Sequence, residues 1–177
     1  MSIEAGTYKL GPQDGTLSVR TERTGAAAKA GHNLLLEVTA WEATLEVGET
    51  TRVELTADPT SLRVREGSGG MQALGDDDKA NIEKTIDDDV LKGRAITFRS
   101  TAVKAADGRL DVEGELTLAD KTRAFAFDVT VDGGRVAAAA VVKQTDFGMK
   151  PYSALFGALK VVDEVKVELD AGLPQSR

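Results

Sequence analysis

The chain has 177 residues, a net charge of −7, one histidine and no cysteine. That length suits one domain with a full core, and the acidic balance lacks the basic stripe of a nucleic-acid footprint, so no nucleic-acid partner is expected. Without cysteine there are no disulfides, thiolate metal sites or cysteine nucleophiles, and a lone histidine excludes a His-rich metal centre.

Met1-Ser2-Ile3-Glu4-Ala5-Gly6 has neither a basic n-region nor an apolar h-region, and no apolar run is long enough to span a bilayer. The expectation is a cytoplasmic chain without a membrane span. Thr7–Leu10 is a short extended piece ended by Gly11-Pro12. Leu17 and Val19 alternate with Ser18 and Arg20, and the run enters a loop at Thr24-Gly25. Ala26–Ala30 carries no pattern. Asn33 to Val47 is a long extended segment in which Leu34, Leu36 and Val38 set one phase and Trp41, Ala43, Leu45 and Val47 the other. Strand side chains alternate with period two, so the flip near Thr39-Ala40 demands a bulge or sharp coil if one face stays buried. A sheet needs such bends to close on itself.

Arg52–Ala57 follows the turn at Gly48-Glu49, with Val53 and Leu55 inward. Pro59 interrupts the ladder, as at an edge or bulge, and Leu62 and Val64 resume it. Gly67-Ser68-Gly69-Gly70 reads as a flexible loop. Over Asp76–Leu91, Ala80, Ile82, Ile86 and Val90 recur at helical spacing. Asp76-Asp77-Asp78 favours a helix N-terminus, whereas Asp87-Asp88-Asp89 opposes the dipole and predicts fraying there. Ile82 and Ile86 should pack on the sheet with Glu83 and Asp87 wet. Gly93 is the expected stop.

Ala95–Val103, Leu110–Ala119 and Arg123–Val131 then form a meander with one apolar and one wet face. Ala105–Arg109 and Asp120-Lys121-Thr122 link its runs, and Asp132-Gly133-Gly134-Arg135 is a further hairpin turn with positive φ expected at a glycine. Val136–Thr145 contains four alanines, Ala137 to Ala140, in a strand context. Asp146-Phe147-Gly148 ends that run, and Pro151–Leu159 reads as a short helix or apolar flap. Val161, Val165, Val167 and Leu169 share one face of the last run.

These elements make an all-β domain over residues 1–172, with a tail at 173–177. About eight strands, mostly short links, one inserted helix and one-sided burial indicate a single antiparallel up-and-down barrel. At that size a barrel either fills with side chains or holds one small ligand. The alanine run bears on the choice. It either compensates for a floor rich in Phe98, Phe125 and Phe127, or keeps an apolar tunnel open.

Other candidates are weaker. His32 has no nucleophile or orienting carboxylate that the sequence can place, so a structural or hydrogen-bonding role is expected. Asp146-Phe147-Gly148 matches a kinase tripeptide, but the remaining kinase elements are absent. Gly67–Gly70 lacks the ending of a phosphate loop. The aspartate triplets lack the spaced ligands and mid-loop glycine of an EF-hand. Trp41, the only tryptophan, belongs to a core or to a ligand platform.

The chain resembles the YceI-like family of lipid-binding proteins. The resemblance runs from Gly6-Thr7-Tyr8 almost to Leu169. Its most specific parts are Ile96-Thr97-Phe98-Arg99-Ser100-Thr101, Gly114-Glu115-Leu116-Thr117-Leu118, Thr122-Arg123 and Phe127-Asp128-Val129. Thr145-Asp146-Phe147-Gly148 and Asp163-Glu164-Val165 complete the order. It implies a lipocalin-like antiparallel barrel with a helix-containing insertion, often dimeric. It also implies a long apolar pore for a polyisoprenoid, such as a quinone tail or a prenyl pyrophosphate. It brings no catalytic set, metal or cofactor. Many relatives carry a secretion signal, which is not expected here, and Gly67–Gly93 is longer and more acidic than usual.

On this reading Leu34, Leu36, Trp41, Ile96, Phe98 and Leu116 would line one part of the pore. Leu118, Phe125, Phe127 and Val129 would line the rest, together with Ala138, Ala140 and Val142. Arg123, Lys143, Lys150 and Lys160 are the candidates for orienting a head group. The expected function is a non-enzymatic carrier or sequestering protein for a long apolar lipid. The rivals are an enzyme on lipid-like substrates, which needs a convergent acid–base pair inside the pore, and a filled barrel acting as an interaction or stress protein.

Overall fold

The computed structural model describes residues 3–175. The strands are β1 (Gly6–Leu10), β2 (Gly15–Thr21), β3 (Arg23–Thr24), β4 (Asn33–Val38), β5 (Trp41–Val47), β6 (Arg52–Ala57) and β7 (Leu62–Ser68). After the helix α1 (Asp76–Thr85) come β8 (Ile96–Ala106), β9 (Arg109–Leu118), β10 (Lys121–Asp132), β11 (Arg135–Lys143), β12 (Ser153–Ala154), β13 (Leu159–Val161) and β14 (Glu164–Gly172). Eleven of them form one antiparallel sheet in the order β1-β5-β6-β8-β9-β10-β11-β14-β2-β4-β7, and β12-β13-β3 form a second.

The large sheet closes because three of its runs are bent. β1 continues into β2, β4 into β5 and β6 into β7, each through a short irregular corner. β5 pairs with β1 and β6, while β4, beyond the corner, pairs with β2 and β7. β14 pairs with β2, and β6 with β8. Counted by run, the barrel has about the eight staves expected, although the corners divide them into more strands. The phase flip at Thr39–Ala40 is the β4–β5 corner. Pro59 opens a 3₁₀ turn, Pro59–Ser61, at the β6–β7 corner. Ser61 staples the two together. Its carbonyl accepts from the Thr39 amide and hydroxyl at 3.0 and 2.7 Å, and its buried Oγ accepts from the Ala40 amide at 3.0 Å. Buried backbone groups freed by a bend must be paired, and here each bend pairs those of the other.

All three links of the meander use two-residue turns, the first at Asp107-Gly108 between paired Ala106 and Arg109. Gly133 and Gly134 have φ of 57° and 80° between paired Asp132 and Arg135. Leu118 pairs with Lys121 across Ala119 and Asp120, so the turn begins one residue earlier than its polar residues suggested. Both take positive φ, 53° and 62°, a conformation that costs an alanine energy. The β8–β9 ladder shifts register between Ser100 and Ala102, opposite Gly114. A side chain at Gly114 would strike the Arg99 carbonyl and the Phe98 ring. The glycine therefore lets Phe98 lie across the strand, edge-on to Phe127 with ring centroids 5.0 Å apart.

The insertion departs from a simple helix. α1 widens into a π-helical turn over Ile86–Leu91, closed by the Lys92 amide donating to the Asp87 carbonyl at 2.7 Å. This is where three successive aspartates oppose the dipole. Lys92 itself takes the left-handed cap, one residue before the expected glycine. Ile82, Ile86 and Val90 pack against the core. Glu83 is not wet as expected: its Oε1 accepts from the Val64 amide of β7 at 3.0 Å, covering an otherwise open strand edge. The Gly67–Gly70 stretch is not a loose linker either. Gly67 is paired in β7, a side chain at Gly70 would strike the His32 ring, and Arg23 donates to the Ser68 and Gly69 carbonyls. Pro151–Leu159, expected as a helix or flap, is mostly the β12–β13 hairpin, with a short 3₁₀ turn, Leu155–Gly157, at its tip.

Candidate functional site

The two ends of the barrel differ. At the base, marked by the Gly108 and Gly133-Gly134 turns, Leu110, Val112, Val131, Val136 and Ala171 are buried, with Val112 at 1% exposure. At the other end Leu34, Leu118, Phe125, Val165 and Val167 are only half-buried, although they continue the same inward rows. Between them lies a cavity of about 960 Å³. That volume stands near the top of the ~300–1,000 Å³ range of ligand sites.

Most of the positions read as inward meet in this cavity. Leu34 and Leu36 reach it from β4, Ile96 and Phe98 from β8, Leu116 and Leu118 from β9. Phe125, Phe127 and Val129 come from β10, and Ala138, Ala140 and Val142 from β11. Trp41 does not line it. As the first residue after the corner it is buried in the core, and its Nε1 finds no partner. Of the four head-group candidates, Lys160 alone lines the cavity. Arg123 shares the parity of Phe125 but turns over the rim, donating to the Asp146 carbonyl at 3.0 Å. Lys143 and Lys150 are exposed and outside the lining.

The alanines take part in a gap in the wall. β10 pairs with β9 over ten residue pairs and β11 with β14 over nine, but β10 and β11 share only four, ending at Val129 and Ala138. Past that point Ala139, of the opposite parity to Ala138 and Ala140, also faces the cavity. On the β11 side of this seam Ala138, Ala139 and Ala140 carry methyl groups only, which fill little of the space.

The polar lining lies at the rim. Four formally charged side chains border the cavity: Arg23, Lys29, Asp78 and Lys160. The Asp78 carboxylate already accepts from the Gly75 amide at 3.0 Å. His32 lines the same end and shares a 2.5 Å hydrogen bond with the Gln72 carbonyl, as its expected structural role requires. Sequence reasoning missed Met71, Gln72, Tyr152, Leu159 and Val161, which border the mouth. They come from loops and short strands whose place depends on contacts far along the chain. Among the described residues, no group of three or more His, Asp or Glu is placed to hold a metal ion, and no helix is long and apolar enough to cross a membrane.

The segments that carry the resemblance are joined in space. Phe98 pairs with Leu116, Ser100 with Gly114, and Phe127 with Val112. The Thr145 amide and hydroxyl donate to the Asp163 carboxylate at 2.9 and 2.6 Å, tying the two late motifs into one corner. Burial pushes the Asp163 carboxyl up, but those hydrogen bonds outweigh it and hold the group below its ordinary value.

Among solved structures, BcnA of Burkholderia cenocepacia is similar to the chain at 16% identity. The alignment covers 88% of this chain and 94% of that one, with a TM-score of 0.62. The YCEI protein of Campylobacter jejuni is similar at 12% identity over 80% and 85% of the two chains, with a TM-score of 0.59. At such identities these likenesses establish the lipocalin-like barrel fold alone. No curated protein matches the chain significantly. The family pattern described as a YceI-like domain matches residues 8–173, from the first buried tyrosine of β1 to the residue after β14. The chain therefore belongs to the YceI-like domain family.

Proposed function

We propose that the protein is a non-catalytic carrier or sequestering protein for a long apolar lipid, of the polyisoprenoid class that the family implies. A quinone tail or the chain of a prenyl pyrophosphate would lie in the barrel. The observation that carries this reading is the cavity of about 960 Å³, walled by aliphatic and aromatic side chains from nearly every stave. Each methylene withdrawn from water there contributes about 0.8 kcal/mol before the costs of association. The charged groups that border it sit at the mouth, where they suit a head group rather than proton transfer deep in the site. This favours binding over catalysis.

Native mass spectrometry of freshly purified protein, followed by solvent extraction, tests the proposal. The expected result is an adduct with the mass of an isoprenoid lipid, and uptake of solanesol from detergent by the delipidated protein. A bare protein that also takes up no solanesol overturns it.

A further inference from the structure

The five large apolar side chains exposed among the described residues are Met71, Val141, Tyr152, Leu155 and Phe156. Four of them gather at the cavity mouth. Met71 and Tyr152 line the cavity itself. Leu155 and Phe156 form the tip between β12 and β13, whose residues Leu159, Lys160 and Val161 also line it. Met71 is tied to this group: its amide donates to the Lys29 carbonyl, and the turn before Lys29 is held by the Ala27 amide donating to Ala158.

The tip is held outward by its backbone. Leu155 and Phe156 both take left-handed conformations, with φ of 52° and 56°, and Phe156 is as exposed as a free side chain at 112%. Two consecutive non-glycine residues in that region are costly, and the cost here serves to lift two apolar side chains into water. Of the four charged side chains that border the cavity, three are cations. Arg23, Lys29 and Lys160 border the same mouth in a protein whose net charge is −7. The fourth, Asp78, stands on α1 with Asp76 and Asp77; its carboxylate accepts from the Gly75 amide, and α1 packs on β7.

We propose that this rim docks on an anionic lipid bilayer, with Leu155 and Phe156 inserted among the acyl chains and Lys29 and Lys160 against phosphates. Aromatic side chains and basic residues partition together at that interface. A convex knob of two side chains suits a deformable lipid surface, and a second copy of the chain would bring its own cations against these. The arrangement rests on the carrier reading in one respect: it sets the mouth where an apolar ligand passes between bilayer and cavity without crossing water.

The test is co-sedimentation with vesicles of phosphatidylcholine and phosphatidylglycerol in equal parts, comparing the protein with the double variant Leu155→Asn, Phe156→Asn. Asparagine tolerates the left-handed backbone, and thermal melting checks that the variant is folded. Vesicle binding by the parent and a loss of about tenfold or more in the variant are expected, from the apolar area withdrawn. Uptake of solanesol from detergent should be equal in the two. A parent that ignores the vesicles, or a variant that sediments with the parent, overturns the proposal. So does a variant that merely converts a native dimer to monomer, which would assign the tip to a second copy. If vesicle binding behaves as expected and neither protein takes up solanesol, docking stands and the carrier reading fails.

Discussion

The base and the mouth of the barrel are built from the same alternation, and they do opposite things with it. At the base, Val112 and Val131 of β9 and β10 are buried outside the cavity lining, and Leu110 and Val136 form its floor. Toward the mouth, Leu118, Phe125 and Val142 continue those rows around empty volume. Inward pattern thus decides which side chains leave water, and the sizes on facing staves decide whether they meet. β11 lines the cavity from Val136 to Val142, and its seam with β10 changes along the way. Val136 at its start is 4% exposed, whereas Ala138 to Ala140 stand beside a seam from which β10 has parted.

The comparison can be broken by substitutions at each end. Val112→Ala removes two methyl groups from the most buried side chain of the base, outside the cavity lining. Loss of transfer energy plus the void left behind should cost about 2–3 kcal/mol in chemical denaturation, with lipid uptake unchanged in the protein that remains folded. A large loss of uptake at preserved stability would show that base and mouth are not separate.

Ala138→Phe tests the other end. The added ring would occupy cavity volume, so uptake of solanesol should fall about tenfold or more while the delipidated protein melts no lower than the parent. If the surroundings of Ala138 are in fact filled, the ring overpacks them at a cost of roughly 1–3 kcal/mol with uptake little altered. Melting and uptake measured together separate the two results.

A smaller effect sharpens the contrast at the base. Gly134 has φ of 80° and open space around its Cα, so a side chain there meets no neighbour. Gly134→Val should still cost a little over 1 kcal/mol, from the backbone conformation alone. Its thermal melting should fall accordingly, with no effect on uptake. A variant melting like the parent would mean that the hairpin does not need its left-handed turn.

Much of this architecture was legible in the residues. Period-two alternation with turn punctuation identified the strands, the flip at Thr39-Ala40 located a corner, and the paired glycines at 133–134 located a hairpin. These are local properties, set by side-chain direction and φ preference within a few residues. The same alternation named twelve side chains that line the cavity, because inward parity persists along each stave. Local pattern failed where partners lie far apart. Trp41 has the right parity, but its distance from the corner decides that it packs in the core. Glu83 looks solvated until β7 offers the Val64 amide, and Gly67–Gly70 looks loose until His32 and Arg23 pack against it. Arg123 has inward parity and pairs with buried Leu116, yet its guanidinium turns out to the Asp146 carbonyl. By itself, the sequence determined a one-sided antiparallel barrel with an apolar interior. Only the tertiary structure decided that the interior stays open at one end, because free volume depends on which staves face each other and where two of them part.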